Sequence, residues 1–454
     1  MERARIDRSE GADIMKQGMN TAFIKEQIHS LIKKIKILDA SVDLTNIENE
    51  LIEYYLQKYA HADAVPNGYH FIDLFCGAGG LSVGLEQEGF RPVMAIDKDA
   101  SALLTYRFNR PWLDPKKLIN EDIRKLVGKD VFEHVPLIVG GPPCQGFSVA
   151  NKHKKENDER NILYKFYVHA VEQASPEIFL MENVEGLLDH IEEIRSDFDQ
   201  IGYYVCSPMV LNTRDFGFPQ SRRRAFILGI SQRHTGRFDE LYRLFAGSIM
   251  REQTGSKYSL HDAIGDLPQL EAKTHKNATY SECRAWGYTF GGFIEEQTEF
   301  CRLINGVPNS RRPLLNHKSK YNNERDIEIY RTLRPGEKSD AESIQAINPY
   351  KSRSDIFRDK FDKLRADEPC KTITAHMYYD CHMYIHPTAA RGLTPREAAR
   401  VQGFPDDYFF LGAPNEWYRQ IGNAVSPLIG RVLARALNNV LQRIYMHDGD
   451  NSVL

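Results

Sequence analysis

Phe71-Ile72-Asp73-Leu74-Phe75-Cys76-Gly77-Ala78-Gly79-Gly80-Leu81 is the stretch that decides the architecture. An apolar run of strand length ends in a glycine turn, and helical spacing through Leu81 and Leu85 resumes behind it. Glycines let the backbone turn sharply and approach a ligand closely, beside the positive end of the following helix. The spacing is not the Gly-x-Gly-x-x-Gly of dinucleotide folds, and it lacks the Gly-Lys-Ser/Thr of a phosphate loop. Working outward, apolar runs lie at 70–75, 92–96, 137–139, 178–181 and 225–230, with helical spacing between several of them. This alternation predicts an α/β fold, a doubly wound and mostly parallel sheet with ligands at the carboxyl ends of its strands.

The totals exclude several classes. With 454 residues, 42% hydrophobic and 27% charged, the chain has material for two or three domains and a sizeable core. No apolar run is long enough to span a bilayer. The first thirty residues are charged and lack the apolar centre of a secretory signal, so a cytoplasmic location is expected. Seven cysteines without a Cys-x-x-Cys pair argue against a disulfide framework and against a zinc site, so no metal is expected. An essential cysteine would then be a reduced nucleophile. The net charge of −3 means that a nucleic-acid partner must be held by a local basic face.

Residues 1–66 read as a helical N-terminal extension. Thr21 could cap a helix carrying Ile24, Ile28, Leu31, Ile32, Ile35 and Leu38. Thr45 and Glu48 have capping-box spacing ahead of a second helix through Leu51, Tyr55 and Tyr59. Two such amphipathic helices suit packing or oligomerisation better than DNA reading. Beyond residue 231 the alternation fades. Between Cys301 and Arg365 fifteen Lys/Arg stand against nine Asp/Glu, with Tyr321, Tyr330, Tyr350, Phe357 and Phe361 interleaved. Such a mixture suits phosphate and base contacts, with a solvated charged surface as the competing reading.

Four constellations carry chemistry. Asp97 lies twenty residues after Gly77 at a strand end, where a carboxylate can accept from ribose hydroxyls. Asp122 could accept from an adenine amino group. With the glycine turn they describe an adenosine pocket without a phosphate anchor, which suits S-adenosylmethionine better than NAD or ATP. The second constellation is Gly141-Pro142-Pro143-Cys144-Gln145-Gly146-Phe147-Ser148, a thiol on stiff backbone after the apolar run 135–139. A thiolate there could act as a nucleophile. Cys76 is the rival, but a cofactor would cover it. The third is Glu182-Asn183-Val184 after the run 178–181. Partial desolvation at a strand end raises a carboxyl pKa and makes a usable proton donor. In the fourth, Gln220-Ser221-Arg222-Arg223-Arg224, strand alternation would put Arg222 and Arg224 on one face and turn Arg223 away. Paired guanidinium groups can bind a phosphate or a carbonyl oxygen.

Taken in order, these segments resemble the DNA (cytosine-5)-methyltransferase family, of the prokaryotic restriction-modification type. The resemblance continues in Pro219, in Arg391-Gly392-Leu393-Thr394-Pro395-Arg396-Glu397-Ala398-Ala399-Arg400-Val401-Gln402-Gly403-Phe404-Pro405, and in Gln420-Ile421-Gly422-Asn423-Ala424-Val425-Ser426-Pro427. It covers residues 71–427. One mild departure is Asn120-Glu121 before Asp122, where a glycine is frequent.

The resemblance implies the S-adenosylmethionine-dependent methyltransferase fold with a smaller target-recognition domain. The implied division is 1–66 for the extension, 67–231 for catalysis and cofactor, 232–415 for target recognition and 416–445 for a returning C-terminal segment. It also implies the chemistry. Cys144 would attack C6 of a cytosine flipped out of double-stranded DNA, Glu182 would serve the N3 edge, and Arg224, with Arg222 beside it, would contact O2. The cofactor would be held by Asp73, Leu74, Phe75, Gly77, Ala78, Gly79, Gly80, Asp97, Asp122, Ile123, Asn423 and Ala424, and would leave as S-adenosyl-L-homocysteine. A monomer acting on DNA, with a cognate restriction endonuclease as partner, completes what is implied. Two alternatives stay open: a transfer-RNA cytosine-5 methyltransferase, and a catalytically silent DNA-binding regulator on the same scaffold. A zinc cytidine deaminase is excluded, because His190-Ile191-Glu192 follows Cys144 and no second cysteine stands at position 147.

Overall fold

A computed structural model of the protein describes residues 21–39, 42–60, 67–126, 128–143, 163–276, 280–295, 298–306, 311–351 and 360–448. Cys144 and the rest of Gln145–Ser148 lie outside the described residues, as does Phe357. The chain opens with helix α1 (21–34), strand β1 (Lys36–Ile37) and helix α2 (Leu44–Tyr59). There follow β2 (His70–Leu74), α3 (Gly80–Gln87), β3 (Arg91–Asp97), α4 (Ala100–Phe108), β4 (Leu118–Asn120) and β5 (Leu137–Gly140). Next come α5 (Leu163–Ala174), β6 (Ile178–Asn183), α6 (Ile191–Gln200), β7 (Tyr203–Val205), β8 (Met209–Asn212), β9 (Gln220–Ser221) and β10 (Arg223–Ser231). The next stretch holds α7 (Phe238–Arg251), α8 (Leu260–Ile264), β11 (Ser281–Glu282), β12 (Gly287–Ile294), α9 (Glu299–Asn305) and β13 (Arg312–Lys318). The chain continues through α10 (Glu324–Thr332), β14 (Cys370–Lys371), α11 (Pro395–Gln402), α12 (Pro414–Asn423) and α13 (Pro427–Asp448).

Eight strands form the central sheet in the order β4-β3-β2-β5-β6-β10-β7, with β8 also paired to β10. From β4 to β6 all neighbours are parallel, whereas β10 runs antiparallel to β6, β7 and β8. This is the mostly parallel α/β architecture expected from the alternation. The chain leaves β2 toward β3 on one side and later returns to β5 on the other, so the order reverses between β2 and β5. A crevice opens at such a switch point, outside the carboxyl ends of the strands. Register aligns that edge: Leu74 pairs with Ile96 and Gly140, and Gly140 with Met181. Asp97, Phe75, Gly141 and Glu182 therefore leave four neighbouring strands at one level.

Alternation along each strand feeds two cores. Phe71, Leu137, Val139, Ile178, Leu180 and Leu228 face one side with Leu81, Leu241, Phe245 and Leu433 of α3, α7 and α13. Ile72, Leu74, Ile138, Phe179, Met181 and Ile227 face the other with Tyr167, Val171, Ile194 and Phe198 of α5 and α6. Strands covered on both faces read as continuous apolar runs, which is why β2, β5, β6 and β10 stood out in the sequence. The short edge strands β7 and β8 did not, because Tyr204 and Val210 reach solvent and break the run.

In the extension, Phe23, Ile24, Ile28, Leu31, Ile32, Leu51 and Tyr55 are buried with Phe108, Phe290, Leu315, Phe409 and Leu411. Two local expectations are corrected. Asp43, not Thr45, caps α2, accepting the Thr45 and Asn46 amides at 3.0 and 3.2 Å. A carboxylate placed there also meets the helix's positive end. Leu38 lies beyond the helix and is 60% exposed, because β1 pairs in parallel with β11 and ends the turn of the chain first. Two aromatic residues of the basic stretch pack inward. Tyr330 and Phe361 are fully buried with Ile329, Leu333, Ile344 and Ile385 in a small core of their own.

Candidate active site

The β2–α3 turn is held in a strained shape. Phe75 has φ +57°, a conformation costly for a bulky residue and maintained only where surroundings over-determine it. Cys76 N–H donates to the Ile96 carbonyl at 3.0 Å, and Gly77 N–H donates to Asp97 Oδ2 at 2.8 Å. The other Asp97 oxygen accepts from the Asp99 amide at 2.8 Å. The turn is thus clamped to β3, and the Asp97 carboxylate is fixed at the crevice rim. Burial nonetheless pushes its pKa upward. A Cβ on Gly80 would run into the Val425 carbonyl oxygen, so glycine is what lets the α12–α13 junction close over the turn.

Asp73, Phe75, Gly77, Ala78, Gly80, Asp97, Asp122, Ile123, Asn423 and Ala424 line one cavity of about 580 Å³ with Glu182, Arg222 and Arg224. A volume of this order suits a small organic ligand. Leu74 and Gly79 stand behind the wall: Leu74 belongs to the core, and Gly79 faces Arg110 and Tyr106. Asp122 is engaged by Arg124, which donates to Oδ1 at 3.0 Å and to Oδ2 at 2.6 Å and lowers its pKa. Burial drives the Cys76 thiol well upward, which disarms it as a nucleophile.

On the opposite wall, Gly141, Pro142 and Pro143 line the cavity and lead into Cys144, which is outside the described residues. The Glu182 carboxylate meets Arg224 with Oε1 and Nε 3.1 Å apart. Glycine at 141 leaves room for it, since a Cβ there would stand 2.8 Å from Glu182 Oε2. Asn183 donates to the Pro142 carbonyl at 3.0 Å and so ties the proline turn to β6. Arg223 faces outward in a bidentate pair with Glu185, at 2.7 and 3.0 Å. Arg222 is buried and donates to the Ile373 and Gly422 carbonyls at 2.8 and 3.3 Å. It joins β10 to two distant segments, and burial, then Arg224, lower its pKa.

Side chains both inside and outside the motifs brace this cavity. The buried Arg110 donates to the Gly79 carbonyl at 3.1 Å, to Tyr408 Oη at 2.9 Å and to Glu86 Oε1 at 3.0 Å. Gln402 donates to the Ile421 and Ala424 carbonyls at 2.9 and 3.0 Å and accepts from Gln220 at 2.5 Å. Thr105 and Ser101 of α4 hold Gln420 at 2.7 and 2.9 Å. Among the described residues no cluster of side chains suited to a metal ion occurs.

Comparisons with known proteins bear on the family of the whole chain. Residues 69–439 match the family model described as C-5 cytosine-specific DNA methylase. The Type II methyltransferase M.AgeI of Thalassovita gelatinovora is 31% identical over 437 residues, covering 81% of this chain and 98% of that protein. M.DdeI, a Type II methyltransferase of Desulfomicrobium norvegicum, is 31% identical over 411 residues, 84% and 91% of the two chains. A crystal structure described as a DNA modification methyltransferase encoded within an E. coli prophage superposes with a TM-score of 0.61 at 26% identity. The match covers 82% of this chain and 99% of that one. A family match over most of the chain makes this protein a member of the C-5 cytosine-specific DNA methylase family.

Proposed function

We propose that this DNA cytosine-5 methyltransferase acts through a covalent adduct between Cys144 and C6 of a flipped-out cytosine in double-stranded DNA. The observation that carries the reading is the convergence of Glu182, its partner Arg224 and the Gly141–Pro143 turn on the cavity that also holds the glycine turn and Asp97. A stacked cytosine cannot bring its ring carbons to such a recess, so the base must leave the helix. The Cys144 thiolate adds to C6, and the electron pair of the C5–C6 bond moves toward C5 as Glu182 attends the N3 edge. Arg224 orients that carboxylate and contacts O2, with Arg222 fixing the strand beside it. C5 then takes the methyl group. Loss of the C5 proton to a base, and departure of the Cys144 sulfur, restore the C5–C6 double bond.

S-adenosylmethionine suits the other half of the cavity. Asp97, Asp99, Glu121 and Asp122 outnumber Lys98 and Arg124 there, a balance that repels polyphosphates and tolerates a cationic sulfonium. When bound, it supplies a sulfonium-activated methyl group and leaves as S-adenosylhomocysteine. Asp97 would accept from the ribose hydroxyls and Asp122 from the adenine amino group, with Asn423 and Ala424 closing the pocket. Residues 232–415 would read the target, and a restriction endonuclease cutting the same sequence is the implied partner. Among the described residues no helix is long and apolar enough to cross a membrane, and we assign action as a monomer on cytoplasmic DNA.

The test is covalent trapping on duplex DNA carrying 5-fluorocytosine in the target, located first by bisulfite sequencing. The wild-type protein is expected to give a denaturant-stable complex and Cys144→Ser none, while S-adenosylmethionine binding persists in both. Methyl transfer retained by Cys144→Ser would remove the nucleophile assignment.

A further inference from the structure

The N-terminal extension lies outside the family match, which begins at residue 69, yet three polar side chains of its helix α2 converge on one buried acid. Tyr54 donates its hydroxyl to Asp407 Oδ2 at 2.8 Å, and Tyr55 donates to the Asp407 carbonyl at 2.7 Å. The Lys58 ammonium stands 3.0 Å from Asp407 Oδ2. Arg312 of β13 completes the set at 2.9 Å. Asp407 itself is 2% exposed, and these cations outweigh its burial and lower its pKa.

The next residue, Tyr408, points the other way, into the cofactor side of the sheet. Its hydroxyl donates to the Ala78 carbonyl and accepts from Arg110 Nη1 at 2.9 Å. Arg110 also holds the Gly79 carbonyl at 3.1 Å. Two consecutive carbonyls of the glycine turn are therefore fixed by a pair of side chains, one of which is anchored through its neighbour to α2. The extension also flanks α4, the helix that carries Tyr106 against the same turn: Phe23 packs on the Arg107 guanidinium at 3.7 Å, and Phe108 lies in the extension's core. The apolar contacts explain why the extension folds onto the body. They do not explain why three polar side chains of one helix should meet at a single residue next to Tyr408.

We infer that the extension is a positioning element for the cofactor pocket, with Tyr54 and Lys58 acting through Asp407 on Tyr408, which sets the glycine turn at Ala78–Gly79. Tyr54, Lys58, Asp407 and Tyr408 are positioning residues, since none of them lines the cavity. The inference rests on the reading of that cavity as the S-adenosylmethionine site.

A double-mutant cycle on the full chain tests it, with S-adenosylmethionine binding measured by titration calorimetry and DNA binding measured separately. One arm is Tyr54→Phe with Lys58→Met, and the other is Tyr408→Phe. Loss of hydrogen bonds of this kind corresponds to about three- to tenfold in affinity. Each arm is expected to weaken S-adenosylmethionine by that factor and to leave DNA affinity unchanged. In the Tyr408→Phe background the helix substitutions should add nothing further. Effects that multiply instead, equal losses for DNA and cofactor, or unchanged cofactor affinity in either arm would overturn the inference. Should the paired substitution unfold the chain, Tyr54→Phe alone removes one hydroxyl without a buried charge and serves the same cycle. A wild-type protein that binds no S-adenosylmethionine would refute the pocket assignment instead, which keeps the two failures apart.

Discussion

Asp73 sits beneath the glycine turn, 2% exposed, with the Ser82 hydroxyl 2.5 Å from Oδ2 and Tyr106 at 2.9 Å from Ser82. Burial pushes its carboxyl up to about 7, while the Ser82 hydrogen bond and then Arg110 pull it down. In the unfolded chain the group titrates near pH 4, at about 3.9. The folded state thus holds the proton more tightly, and the stability this contributes is complete below about pH 4 and lost as pH rises toward 7. Asp73→Asn should flatten the melting temperature between those limits in ligand-free protein and raise it by a few degrees above pH 7. An unaltered pH profile would show that the carboxyl does not titrate in that window. Glu182 offers a kinetic counterpart. Glu182→Gln keeps the shape of the group beside Arg224 but removes its proton chemistry. Methyl transfer should fall about 10²- to 10⁴-fold, the usual reach of acid–base assistance, with S-adenosylmethionine affinity preserved within a few-fold. Single-turnover methylation with labelled cofactor reads the first quantity and calorimetry the second.

At the scale of elements, the motifs are junctions. α11 begins with a capping box in which Thr394 and Glu397 satisfy one another's backbone groups, with Pro395 at its first turn. The start at Pro395 could be read from sequence, because capping chemistry is local. Its purpose could not. Gln402, the last residue of α11, links β9 to the end of α12 through Gln220 and the Ile421 and Ala424 carbonyls. Gln402→Leu fills the same space and strands those three partners, which should cost about 1–3 kcal/mol. Urea unfolding checks the stability loss. S-adenosylmethionine affinity should fall with it, because Ala424 lines the cavity. A variant as stable as wild type would mean that the junction relaxes to recover its bonds. The same locality explains the error at α2. Thr45 and Glu48 had the right spacing, but Asp43 offered a charged acceptor two residues earlier.

For the whole molecule, stability depends on buried ion pairs clustered around α11, one of which reaches a segment far away in sequence. Arg391 clasps Glu397 at 2.7 and 2.8 Å, Arg400 clasps Asp406 at 2.7 and 3.0 Å, and Arg400 also meets Asp266 at 2.5 Å. Despite burial, Arg391 holds Glu397 well below the usual carboxylate range, and Arg400 lowers the pKa of Asp406. A depressed folded-state pKa contributes stability above the unfolded value and loses it as pH falls. Acid unfolding, followed by circular dichroism, should therefore begin below about pH 4 and proceed cooperatively. Removing one partner is more damaging than protonating it: Arg400→Met leaves Asp406 and Asp266 facing a neutral side chain, at a cost of about 3–5 kcal/mol. A midpoint shift smaller than that in denaturant unfolding would show that Asn305, which also holds Asp406, compensates.

The sequence by itself determined most of the sheet and much of the crevice at its strand ends, because strand burial writes continuous apolar runs and the motifs stand at strand ends. Asp97, Gly141 and Glu182, each at the end of such a run, line one cavity. Only the tertiary structure decided who braces whom. Arg110 and Tyr408 stand in no motif, and nothing local reveals the partners of Gln402, since each acts on a backbone carbonyl remote in sequence. The 301–365 stretch shows the same limit. Composition counts charges and rings, but only packing decides that Tyr330 and Phe361 belong to a core. The α1–α2 extension repeats the lesson: its amphipathic spacing fixed that it packs, and the fold alone fixed that it packs on Asp407, beside the glycine turn.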